Sequence, residues 1–349
     1  MRKIFFILSI PAFFVTLLLL DRLITSDPVI QFVRKQKTMQ ENSLDLIRLK
    51  LGELEEKDKK TAVFLGSSQS FYFSTLSDKE NNWEPEAGVI LGIQNGFALT
   101  AIDFFAEMAI LDEILEAKRR PDFIAVEISP FLANESLQIF RWDSNIYEKS
   151  FLDTFSQDDL PITLRSKFRT GKFFNSLQYG VSFYNLATYS KRQNGFGIDP
   201  NAIQGVLEFA LFSREEPDLK GKKAEEFFEE EYTKTGETQD HFGYYKNFRV
   251  WDGFYNILLK RIRKMEELGI KYVLWIPAIH PIHEKYVYKP QGVEEKFISN
   301  FKKRMKDSGD LIVFDARSFG KSCDSWADSV HLGSVCYKGL ADSLYGAGK

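Results

Sequence analysis

Two short stretches hold the residues that could carry covalent chemistry. The first is Val63-Phe64-Leu65-Gly66-Ser67-Ser68-Gln69-Ser70. Here Thr61–Leu65 is an apolar run that follows the charged segment Glu55–Lys60, and it reads as a buried parallel strand. A glycine and two serines close it. In an open parallel sheet the carboxyl ends of the strands border the ligand crevice, so this turn presents a hydroxyl there with little steric hindrance. A serine hydroxyl is a weak nucleophile until a base takes its proton. The second stretch, Asp328-Ser329-Val330-His331, supplies a carboxylate and an imidazole three residues apart. That spacing lets Asp328 turn back onto one ring nitrogen while the other faces the serine, as in Ser-His-Asp triads. The expected catalytic residues are therefore a serine of this turn as nucleophile, His331 as base and Asp328 as its orienting group.

Other reactive residues are fewer. His280-Pro281-Ile282-His283 follows another strand and lies at the crevice edge, where His283 has a substrate-lining or a structural role. Two histidines without further ligands make a poor zinc site, and neither a metal nor a cofactor is expected. The sequence has two cysteines, Cys323 and Cys336, which flank the Asp328/His331 pair. If they are joined, they close a loop of about 13 residues and stabilise the chain by roughly 3 kcal/mol.

The elements that must position these groups follow from the apolar pattern. Strands are expected at Thr61–Leu65, Gly88–Ile93, Asp122–Ile128, Lys271–Ile276 and Leu311–Asp315. Helices are expected over Leu99–Lys118, Phe254–Leu268 and Lys338–Tyr345. Strands alternating with helices indicate a three-layer α/β/α sandwich on a parallel, flavodoxin-like sheet. About 140 residues separate the third and fourth strands, far more than one crossover needs. Residues 129–249 are therefore read as a large helical insertion that leaves the carboxyl edge as a lid or a partner surface. Within it, Glu225–Glu231 reads as a solvated helix face. The α/β body comprises 61–128 and 250–349, and 27–60 is a connecting helical segment.

Composition narrows the partners and the compartment. The 349 residues are 44% hydrophobic and 27% charged, with 32 phenylalanines, so a sizeable core can form. The net charge of −3 with no basic stripe argues against nucleic acid. Arg2 and Lys3 precede Ile4–Leu20, which carries no charge. As a helix this stretch rises roughly 25 Å, and Leu23 and Ile24 extend it toward the thickness of the hydrocarbon core. No cysteine or good small-residue cleavage site follows. Residues 1–26 are read as a single-pass signal anchor in the cytoplasmic (inner) membrane with the body exported to the periplasm or another extracytoplasmic space; a cleaved secretory peptide is the alternative. Export places the cysteines in an oxidising compartment, which favours a Cys323–Cys336 disulfide.

Gly66-Ser67-Ser68 after the first strand, with Asp328-x-x-His331 before the last helix, resembles the SGNH (GDSL-type) hydrolase superfamily. The resemblance spans about Thr61–Glu127 and Lys271–Tyr345, and it maps the nucleophile to Ser68. With the anchor and the exported body, the chain looks like the accessory proteins of membrane-bound O-acyltransferases, such as the D-alanyl transfer protein of teichoic-acid modification and the alginate O-acetylation proteins. This branch implies acyl transfer, for example O-acetylation, onto a cell-envelope glycan, with a multipass membrane-bound O-acyltransferase as a possible partner and acyl donor. A simple ester hydrolase and an inactive envelope-binding scaffold are the alternatives. The superfamily takes an oxyanion-hole glycine after its second strand, and Gly92, Gly96 and the adjacent Asn95 are candidates for that site. Its third motif, Gly-x-Asn-Asp, is replaced here by Ile128-Ser129-Pro130-Phe131. Losing one oxyanion donor costs about 10²–10³ in rate, and the acyltransferase-like branch often lacks this motif.

Overall fold

The computed structural model describes residues 2–26, 28–29, 61–70, 73, 95–100, 104–135, 156–162, 165, 222–234, 245, 247–309, 311–323 and 325–348. Five strands, β1 (Thr61–Gly66), β2 (Asn95–Thr100), β3 (Phe123–Glu127), β4 (Lys271–Ile276) and β5 (Val313–Asp315), form one parallel sheet in the order β2-β1-β3-β4-β5. Every residue of β1 and β3 is buried, as expected for central strands covered on both faces. The chain order reverses between β1 and β3. In a doubly wound sheet this switch point opens a crevice at the carboxyl ends of the strands.

The longer described helices are α1 (Arg2–Ile24), α2 (Phe104–Glu116), α3 (Ala224–Lys234), α4 (Asp252–Glu267), α5 (Asn300–Asp307) and α6 (Tyr337–Ala347). α6 covers one face of the sheet. Its Tyr345 packs edge-on against Phe123, and its Tyr337 meets Phe73, which stacks on Phe64 with 4.0 Å between ring centroids. The alternate residues Val63, Leu65, Ile124, Val126 and Leu274 are buried toward the other face, where α2 and α4 lie. Phe104 of α2 meets Phe254 of α4 at 4.4 Å, and the Arg261 guanidinium of α4 pairs with Asp112 of α2. α4 forms because Phe254, Ile257, Leu258, Ile262 and Met265 recur at helical spacing and are buried together. It stops at Gly269, whose φ of +66° suits a residue without Cβ. There the amides of Gly269 and Ile270 return to the carbonyls of Glu266 and Met265, a Schellman closure.

The second strand differs from expectation: it is Asn95–Thr100, whereas Gly88–Ile93 lies outside the described residues. Two apolar runs flank Gln94-Asn95, and strand periodicity alone cannot choose between them. Pairing chooses the later one, with Thr61 opposite Asn95 and Gly66 opposite Thr100. The following helix accordingly starts at Phe104 rather than Leu99. The fifth strand is also shorter than expected, starting at Val313. Nearly all of the connecting helical segment expected over 27–60 lies outside the described residues, as does most of 129–249.

Several pieces of that insertion are described. A short helix at Pro130–Ala133 is capped by Ser129, whose Oγ accepts from the Leu132 amide, with Pro130 at the first helical position. A 3-10 turn spans Gln157–Asp159 and α3 follows later. Glu135 and Arg249 meet twice, through the Glu135 amide on the Arg249 carbonyl and through an ion pair. The segment between them thus departs and returns at one place.

α1 is helical around Pro11. Its side chains Ile10, Phe13, Phe14, Val15, Leu18, Leu19, Leu20 and Leu23 are exposed, whereas Asp21, Ile24 and Thr25 at its end are buried. Among the described residues no helix is long and apolar enough to cross a membrane.

Candidate active site

β1 delivers its turn to the crevice beside a carboxylate that the sequence reading overlooked. Glu127, the last residue of β3, is fully buried. One of its oxygens accepts from the Ser67 amide at 2.9 Å and the Ser70 hydroxyl at 2.8 Å; the other accepts from the Ser67 hydroxyl at 2.6 Å. Burial pushes the Glu127 carboxyl above the usual carboxylate range, and the hydrogen bonds from Ser67 and Ser70 oppose that rise. Gly66 is required at this approach. A Cβ on residue 66 would lie 2.3 Å from both Glu127 Cβ and Ser70 Oγ. The carboxylate therefore takes the hydroxyls on either side of Ser68, and Ser68 alone of these three serines is exposed.

The base arrives from the loop before α6. Ser68 Oγ lies 2.9 Å from His331 Nε2, and His331 Nδ1 lies 2.7–2.8 Å from both carboxylate oxygens of Asp328. A carboxylate can only accept, so Nδ1 carries the proton and Nε2 is left as the acceptor for the Ser68 hydroxyl. Asp328 is itself oriented by its own loop, since its Oδ1 accepts from the amides of Val330 and His331 at 2.8 Å each. The imidazole is buried, whereas 44% of the Asp328 side-chain surface is exposed. The sequence-expected nucleophile, base and orienting carboxylate are thus brought together, and Ser67 points away into Glu127.

The base loop is held on every side. Cys323 and Cys336 form a disulfide across it. Trp326 and Leu332 pair as an antiparallel bridge, and the Ala327 amide bonds the His331 carbonyl. The His280 amide bonds the Ser329 carbonyl. From the insertion, Tyr232 of α3 places its hydroxyl 2.7 Å from Ser329 Oγ and 2.6 Å from His283 Nδ1. Phe228, one turn earlier, packs on His280.

The family described as "Protein of unknown function (DUF1574)" matches residues 1–346. The chain belongs to that family. No curated protein matches it.

The other expected site residues of this DUF1574 protein lie elsewhere. Asn95 and Gly96 begin β2 and pair with Thr61 and Ala62 at the amino end of β1. They lie at the opposite sheet edge from Ser68 and cannot supply an oxyanion donor. Parallel pairing is the physical reason: a residue that starts a strand lies a full strand length from the crevice. Gly92 lies outside the described residues. His283 is only 1% exposed and is bonded to Tyr232, so it supports α3 rather than lining an open crevice. Glu225 and Glu226 are exposed as expected of a solvated face, yet Phe228 and Tyr232 on the same helix are buried. Glu127 and Tyr232 were both missed. The available signal for Glu127 was a lone acid at the end of an otherwise apolar strand, beside Ser-Pro and at the crevice edge. For Tyr232 it was the four-residue spacing from Phe228, which makes one apolar stripe on an acidic helix.

A second depression, about 260 Å³ in volume, lies by Ile279, Glu284, Glu294, Asp315, Arg317 and Trp326. Arg317 spans Asp315, Glu284 and Glu294. Although burial opposes it, the pairing with Arg317 and Lys302 brings the Asp315 carboxyl down to about 2. Among the described residues no group of three or more His, Cys, Asp or Glu side chains could hold a metal ion.

Proposed function

We propose that this protein is an exported, membrane-anchored acyltransferase that acylates a hydroxyl of a cell-envelope glycan through Ser68, His331 and Asp328, with ester hydrolysis by the same residues as the alternative. The observation that carries the reading is the 2.9 Å approach of Ser68 Oγ to His331 Nε2, with Asp328 on the far nitrogen. In this scheme Ser68 Oγ attacks the carbonyl carbon of the donor ester while its proton passes to His331 Nε2. The leaving oxygen takes that proton, and the acyl group stays on Ser68 as an ester. An acceptor hydroxyl then gives its proton to His331 and attacks the same carbonyl, and Ser68 leaves with the proton returned. Asp328 stabilises the imidazolium formed at each half-step.

The exposure of Ser68 supports access by a large acceptor. The apolar exposed side chains of α1 are consistent with a membrane-embedded anchor, and the Cys323–Cys336 bond suits an oxidising, extracytoplasmic compartment. The resemblance to O-acyltransferase accessory proteins supports a glycan acceptor and a multipass acyltransferase as donor and partner.

The test is covalent labelling of the full-length protein in detergent with a fluorophosphonate probe. The unaltered protein and Ser67→Ala should label, and Ser68→Ala should not. Labelling that survives Ser68→Ala ends the reading. With a chromogenic acetyl ester, turnover that rises with added glycan marks a transferase, and turnover indifferent to it marks a hydrolase.

A further inference from the structure

The Ser68–His331 contact has a parallel link beside it. Gln69, next to the nucleophile, donates its side-chain amide to the carbonyl of Val330, next to the base. Gln69 is fixed in turn: its backbone carbonyl accepts from the Tyr337 hydroxyl at 2.8 Å, and its amide reaches Ser67 Oγ at 3.3 Å. Ser67 Oγ is the group that donates to the buried Glu127. A continuous path thus runs from Glu127 through Ser67 and Gln69 to Val330 and the imidazole.

The two links differ in what the chemistry does to them. Acylation turns Ser68 Oγ into an ester oxygen with no proton, so its hydrogen bond to His331 is lost when the second half-reaction needs the base in place. The Gln69–Val330 bond involves no reacting atom and survives acylation. We propose that Gln69 is a positioning residue that holds the His331 loop against the nucleophile turn while Ser68 is acylated, so that the base stays aligned for the acceptor. This inference rests on the serine reading above. It accounts for a long polar side chain spent on a bond to a main-chain carbonyl at the crevice, and it assigns the two half-reactions different sensitivities. In the free protein both the Ser68–His331 bond and the Gln69–Val330 bond join the two turns; in the acyl form the Gln69 link persists.

The test uses full-length protein in detergent and two rates. The first is the rate of fluorophosphonate labelling. The second is the decay of the Ser68 acetyl adduct, formed with 4-nitrophenyl acetate and followed by intact-mass spectrometry after the ester is removed. Gln69→Met keeps the volume and removes the donor. It should slow adduct decay roughly tenfold or more, since small misalignments of a reacting group cost up to about a hundredfold. Labelling should fall by less than about threefold, which separates the two steps. Adduct decay equal to that of the unaltered protein overturns the inference. Equal losses in both rates also overturn it, since they mark a purely structural role. If the unaltered protein forms no adduct on Ser68, the serine reading itself has failed, which is a distinguishable result.

Discussion

Gly66→Ala tests the packing that sets the nucleophile turn. The new Cβ would lie 2.3 Å from Glu127 Cβ, 2.3 Å from Ser70 Oγ and 2.4 Å from Glu127 Oε2, where carbon atoms rest at about 3.5–4.0 Å. The nearest obstacle is a Cβ fixed to a central strand, not the free end of a side chain, so the turn or β3 must shift by more than about 1 Å. Overpacking of this kind costs about 1–3 kcal/mol. The shift also pulls Ser67 or Ser70 off the buried carboxylate, and a lost hydrogen bond to a charged group adds about 1.5–3 kcal/mol. The sum is about 2.5–6 kcal/mol, or about 5–12 °C in Tm at roughly 2 °C per kcal/mol for a chain of this size. Gly269→Ala is the internal control. Its φ is +66° but its Cβ would meet nothing within 4 Å, so it carries only the left-handed backbone cost of about 1–2 kcal/mol. Calorimetry of both variants, with fluorophosphonate labelling of each, checks the reasoning. The expected result is a larger Tm loss and lost labelling for Gly66→Ala, and a small loss with labelling kept for Gly269→Ala. A Gly66→Ala protein that melts no lower than Gly269→Ala refutes the steric argument.

Further expectations follow from the charges and the cross-link. Because Glu127 has its folded pKa raised, its contribution to stability is complete below the ordinary glutamate value and is lost as pH rises through the raised one. Glu127→Gln should therefore gain Tm relative to the unaltered protein as pH climbs from about 4.5, and a pH-independent difference would count against the buried charge. Asp315 has the opposite sign: with a folded pKa of about 2, its contribution is present above the unfolded value and is lost as pH falls toward 2. Arg317→Met should flatten that acid limb in a Tm–pH series. Cys323→Ser with Cys336→Ser should lower stability by about 3 kcal/mol in urea unfolding, and an unchanged midpoint would show that the cross-link does not constrain the unfolded chain.

The central strands and the triad were legible in the sequence because each depends on a local signal. β1, β3 and β4 are apolar runs of strand length between polar flanks, and Ser68, His331 and Asp328 sit beside two of the most definite elements. What was missed depends on tertiary choice. Gly88–Ile93 and Asn95–Thr100 are equally good strands until one of them must register with Thr61–Gly66. That one choice moved Asn95 and Gly96 to the wrong edge of the sheet. Glu127 reads as a strand-end acid facing water until β1 is laid beside it and its oxygens meet Ser67 and Ser70. Tyr232 hides in an acidic helix, and only the docking of that helix on Ser329 and His283 shows which face is inward. Local pattern encodes elements and motif chemistry, whereas the groups that hold a motif in place come from distant parts of the chain.

The nucleophile and its base are 263 residues apart in the chain. Contacts of such separation carry a large loop-closure cost and form late relative to local ones, and synthesis releases the N-terminal end first. A nascent or truncated chain can therefore hold the β1 turn with its serine while lacking the imidazole that would activate it. The Ser68 hydroxyl lacks its imidazole partner until β4, β5 and the cross-linked C-terminal loop have docked. On the proposed acyl-transfer reading, completion of the fold and onset of reactivity are therefore the same event.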